Sequence, residues 1–129
     1  MKMELLGHGT YMLNRKLTAL TPREAQAAMS NGSLESQIGW GQARVVEMII
    51  RLSMGHGMWA GVAVHRVMSE ATTMGMGINQ REWVRQGIKK LLKSGLVEIP
   101  GFKHWALRWL NSRILCPTPR LLAVIIAHQ

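Results

Sequence analysis

"NQREWVRQGIKKLLKSGLVEIPG", residues 79–101, changes its hydrophobic period partway along. Up to Lys93 the apolar residues Val84, Ile88, Leu91 and Leu92 recur at the spacing of one helix face, and polar and basic residues fill the rest. Asn79 is placed to cap this helix, with Glu82 three residues on to complete a reciprocal cap. Lys93 and Gly95 suit its end, where a cation meets the negative helix terminus and glycine accepts a left-handed backbone. After Gly95 the period falls to two. "LVEI" (96–99) and "HWALRWL" (104–110) flank the turn-prone "PGFK" (100–103), which predicts an antiparallel hairpin. Its second strand sets Trp105, Leu107 and Trp109 against His104, Ala106 and Arg108 on the opposite face.

Upstream, the period is helical. "TPREAQAAMSNG" (21–32) opens with Thr21 as N-cap, Pro22 at the first helical position and Glu24 at the third, and closes on Asn31-Gly32. "GQARVVEMIIRLSMG" (41–55) puts Val45, Met48, Ile49 and Leu52 on one face. "WAGVAVHRVMSEAT" (59–72) groups Val64, Val67, Met68 and Ala71, so a helix is expected over 58–72. Gly-x-Gly occurs at 7–9, 39–41, 55–57 and 75–77, never as G-x-G-x-x-G, and reads as joints between helices rather than phosphate loops. The tail "TPRLLAVIIAHQ" (118–129) fits a short helix through Ala127, while its Val-Ile content leaves a strand open.

The order helix, helix, helix, hairpin resembles the winged helix-turn-helix superfamily. The resemblance rests on "REWVRQGIKKLLKSGLVEI", where a basic amphipathic helix ends in Leu91, Gly95, Leu96 and Val97, and it covers roughly 42–110. It implies a mostly α fold with a small β-hairpin. Residues 79–94 become the recognition helix, 58–72 the helix before it, and 96–110 the wing. Around this domain (41–113) stand an N-terminal helical extension (1–40) and a C-terminal apolar tail (114–129). Two features depart from the pattern. The spacer "TMGMG" is longer than a tight turn, and Gly87 inside the recognition helix is about 1 kcal/mol less favourable than Ala, which a close helix crossing would explain.

Charge points the same way. The chain carries a formal +9 and a pI near 10.9, a balance that suits a polyanionic partner. Residues 79–113 hold eight basic residues against Glu82 and Glu98, hence +6. The expected DNA contacts are Asn79, Gln80, Arg81, Arg85, Gln86, Lys89, Lys90 and Lys93 on the helix, with Lys103 and Arg108 in the wing. Arg bonds guanine bidentately and Gln bonds adenine, while Lys103 and Arg108 suit phosphates beside the groove. The expected function is sequence-specific binding of double-stranded DNA in transcriptional regulation. The competing function is a winged-helix docking module or inhibitor that uses the same charges on an acidic protein. A membrane surface ranks third, since no broad apolar face is left over on the basic helix.

Other chemistries find little support. All seven acids are Glu, so Asp triads and Asp-rich cation loops are excluded. His8, His56, His65, His104 and His128 show no metal-ligand spacing, and Cys116 has no motif beside it that would activate a thiol. No catalytic residue, metal or cofactor is expected. Ten Met and five Trp read as core rather than a ligand pocket, with Trp83 and Trp105 packing the wing onto the helix. A single Cys and the lack of a signal-peptide pattern suggest the cytoplasm, with the protein on the nucleoid when bound to DNA. "LLAVIIA" (121–127) is too short to span a bilayer and more apolar than one domain needs, which points to a homodimer through the tail.

Overall fold

The computed structural model describes residues 4–13, 15–100 and 113–128. It opens with a hairpin, β1 (Leu5–Gly7) and β2 (Thr10–Met12). The two turn residues, His8 and Gly9, both have positive φ, 51° and 79°, the turn geometry that matches the twist of paired strands. There follow α1 (Pro22–Met29), α2 (Ser33–Ile38), α3 (Trp40–Met54), β3 (Ala60–Ala63), α4 (Val64–Thr73), α5 (Ile78–Ser94), β4 (Val97–Glu98), β5 (Ile114–Pro117) and α6 (Pro119–Ala127). The protein is mixed α and β, mainly helical, with a small antiparallel sheet.

The α1 cap forms as its sequence requires. The Thr21 hydroxyl accepts from the Glu24 amide at 3.2 Å, and the Glu24 carboxylate accepts from the Thr21 amide at 2.9 Å. Those bonds to Thr21 hold the Glu24 carboxyl below its ordinary range. Along α3, Val45, Met48 and Ile49 are fully buried, joined by Val46 and Ile50, and Leu52 is half-buried. This helix packs chiefly on α5. The crossing is at Gly41 and Gly87: a β-carbon at Gly87 would stand 2.5 Å from the Gly41 carbonyl carbon. Gly87 gives up helix propensity because any side chain there would separate the two helices.

Three expectations are corrected. The helix expected over 58–72 begins only at Val64, because Ala60–Ala63 is a strand with all four residues buried. Ala60 donates its amide to the buried Ser53 hydroxyl at 3.1 Å, and β3 pairs with β2 on one side and β5 on the other. The N-terminal extension is helical only from Pro22. Before that it is the β1–β2 hairpin, which lengthens the sheet to the order β1-β2-β3-β5-β4. Among the described residues β4 pairs with 114–117, in the register Val97↔Pro117 and Glu98↔Cys116. The expected strand 104–110, with Trp105 and Trp109, lies outside the described residues. The segment read as an apolar tail therefore starts as an inner strand of the sheet before it becomes helical.

Helix α6 lies against α1 of the same chain and buries Leu121, Leu122 and Ile125. That contact covers one side of the apolar run that points to a homodimer, while Ala123, Ile126 and Ala127 remain exposed. Thr118 fixes its start: the hydroxyl lies 2.8 Å from the Gly95 carbonyl oxygen and 3.0 Å from that of Leu96, and caps Leu121. The Gly-x-Gly at 7–9 is the hairpin turn rather than a joint between helices. Those at 39–41, 55–57 and 75–77 lie at helix ends.

Candidate nucleic-acid interface

The chain enters α5 from Gly77, whose amide donates to the Gln80 side chain at 3.2 Å. The expected Asn79–Glu82 cap is thus set two residues too late, and both side chains are released for other use. At the far end Gly95 adopts the left-handed conformation, φ 78°, and its amide returns to the carbonyls of Leu91 and Leu92. The inward face is Val84, Gly87, Ile88 and Leu91, all buried. The opposite face is exposed and carries Asn79, Glu82, Gln86, Lys89 and Lys93. Steps of three and four residues align these five in one stripe along the helix.

The expected DNA contacts separate into groups. Asn79, Gln86, Lys89 and Lys93 share the outward stripe. Arg81 and Arg85, expected clear of the apolar side, are half-buried on the flank towards α4, where they border a groove with Met68, Thr72 and Ile78. Gln80 is exposed but its carbonyl is occupied by the cap. Lys90 is on the other flank, beside Trp40 and Trp83. Lys103 and Arg108 lie outside the described residues. Glu82, absent from the expected contacts because the capping motif accounted for it, is in the middle of the stripe with 55% of its side chain exposed.

Elsewhere the Glu residues neutralise cations. Arg44 pairs with Glu35 at 3.3 Å and Glu47 at 2.8 Å, Arg66 with Glu70 at 2.7 Å, and Arg15 with Glu98 at 2.6 Å. On α5, Glu82 accepts from the Gln86 amide at 2.9 Å and lies 4.0 Å from Arg85. Lys89, Lys90 and Lys93 are exposed and make no ion pair among the described residues. Lys16, Arg23, Arg51 and Arg120 are also exposed outside these ion pairs, but they are scattered, whereas α5 carries three such cations on one helix.

Trp83 is expected between helix and wing, and residues 101–110 of that wing lie outside the described residues. The Trp83 ring meets Trp40 edge to face, 5.9 Å between centroids, and remains 57% exposed. Arg44 lies over the Trp40 ring at 5.7 Å. Trp105 is outside the described residues. Among the described residues no three His, Cys or Glu side chains gather as a metal site, and no helix is long and apolar enough to cross a membrane. Cys116 is buried on β5, and desolvation, with the Glu98 carboxylate adding to it against Arg15, pushes its thiol from 9.0 up to about 12. Such a thiol stays protonated and unreactive at neutral pH. Compared with protein-family models, curated proteins and solved structures, the chain has no significant match.

Proposed function

We propose that the chain is a winged-helix protein that binds double-stranded DNA with sequence preference and thereby regulates transcription. The observation that carries this reading is the joint arrangement of topology and charge. A helix, a strand, two helices and two further strands follow one another (α3, β3, α4, α5, β4, β5), with the last strand inserted between the other two. That order packs the second helix of the pair, α5, against α3 by its buried face and leaves its unpaired lysines exposed. A helix of this width fits the major groove, where Gln86 and Asn79 are suited to adenine and the lysines to phosphates. In this reading residues 96–110 are the wing.

Selection of bound duplexes from a random pool, at fixed salt, tests the proposal. A recovered consensus several base pairs long supports it, and recovery of unrelated sequences at equal affinity sinks it. A docking function is favoured by one observation, the exposure of Trp83 and Ile78 on the same helix, 57% and 78%. In that case random and selected DNA bind alike, and weakly.

A further inference from the structure

We infer that Glu82 is a specificity-determining residue of α5, one that requires a cytosine amino group, hence a C·G pair, at the position it faces. The inference rests on the DNA reading above and deepens it. Five of the other Glu residues have visible structural uses: Glu24 in the α1 cap, and Glu35, Glu47, Glu70 and Glu98 in ion pairs. Glu82 stands 4.0 Å from Arg85 on the outward stripe, between Asn79 and Gln86, at the rim of the groove it shares with Arg81 and Arg85. Gln80 has taken over the capping task. Its carboxylate is steadied from within the helix, by the Gln86 amide at 2.9 Å and by Arg85 at 4.0 Å. The Gln86 NH2 uses one hydrogen on Glu82 and keeps its second, with its carbonyl, for a base.

A carboxylate aimed at a polyanion is repelled by every sequence, so Glu82 lowers generic affinity. It is acceptor-only when ionised. Of the base edges in the major groove, guanine offers N7 and O6 acceptors and thymine O4, all of which oppose it. Adenine sets its amine beside its own N7 acceptor, and cytosine alone presents an amino donor with no acceptor on the same base edge. A repulsive group satisfied by one partner separates right from wrong sites more sharply than attraction does.

The test compares the full chain with Glu82→Gln, which is isosteric, exposed and still able to bond Gln86. Affinities are measured at one salt concentration on the duplex selected by the wild type, on that duplex with each C·G pair replaced in turn, and on a scrambled duplex. In the wild type, one replacement is expected to weaken binding roughly ten- to hundredfold. In Glu82→Gln the scrambled duplex binds several times tighter and the penalty for that same replacement nearly vanishes. If the variant tightens all duplexes alike with the penalty unchanged, or alters nothing, Glu82 is only a surface charge and the inference is overturned while DNA reading stands. If the wild type itself shows no preference between duplexes, the DNA reading fails first, and the inference with it.

Discussion

A β-carbon at Gly87 would lie 2.5 Å from the Gly41 carbonyl carbon and 2.7 Å from the Gln42 amide nitrogen. One at Gly41 would run into the Trp83 carbonyl oxygen. In an isolated helix Gly→Ala gains about 1 kcal/mol, but here the obstacle is backbone, which cannot turn aside as a side chain does. Forced separation of packed elements costs about 1–3 kcal/mol, so the clash wins. Gly87→Ala is expected to lower the urea midpoint of unfolding, and a raised midpoint would show that α3 and α5 are not locked together there. This residue was legible in the sequence, because a glycine inside so regular a helix calls for a close neighbour. The cap was less so. Asn79–Glu82 and Gly77–Gln80 both have capping spacing, and a glycine cap has no side chain to announce it. Cys116 supports a second test. Its folded pKa near 12 exceeds the ordinary 9.0, so its contribution to stability is complete below about pH 9 and is lost as pH rises towards 12. At pH 8 a thiol reagent is expected to label the native chain far more slowly than the urea-unfolded chain; equal rates would place the thiol at the surface.

Thr118 joins two elements through one hydroxyl. It caps α6 at the Leu121 amide and reaches the carbonyls of Gly95 and Leu96, where α5 hands over to β4. Thr118→Val keeps the volume and removes the oxygen, so a cap is lost and the Gly95 and Leu96 carbonyls lose the hydroxyl donor, Leu96 keeping the Thr118 amide at 3.3 Å. The expected loss is about 1–3 kcal/mol, measured by denaturant unfolding; a loss under about 0.5 kcal/mol would mean that the two elements dock without it. The capped helices α1 and α6 could be read from Thr-Pro at their starts, since that pair has one dominant local meaning. Strand β3 could not. Ala60–Ala63 is small, apolar and buried on every side, and such a run carries neither the alternation of a half-buried strand nor a period of its own. It merged with the helical pattern of α4 that follows it directly. The start of the tail hid for the same reason: "ILCP" is strand only because β3 and β4 lie on either side of it.

At the scale of the whole molecule, sheet order depends on pairings between residues far apart in the chain, such as Val62 with Leu115, and no local pattern encodes them. Helix order apart from α2, the basic helix and the concentration of charge are legible in the sequence. What the fold adds is where the charges remain unpaired. Salt bridges on Arg15, Arg44 and Arg66 leave Lys89, Lys90 and Lys93 as exposed cations of one helix. If α5 occupies a DNA groove, these lysines displace condensed counterions, each adding about −0.9 to the slope of log affinity against log salt. The double substitution Lys89→Ala with Lys93→Ala is therefore expected to flatten that slope by about two units and to weaken selected and scrambled duplexes by similar factors. Lysine contacts to phosphate carry no sequence information. Gln86→Ala, on the same stripe but uncharged, should leave the slope unchanged and relax one position of the preferred site, with a loss there of about 1–3 kcal/mol. Arg23→Ala, an exposed cation on α1 away from α5, serves as the control and should change neither. Binding titrations of the four proteins at several salt concentrations decide the matter. A wild-type slope near zero, or one that Arg23→Ala flattens as much as the lysine pair does, would remove α5 as the DNA-facing element.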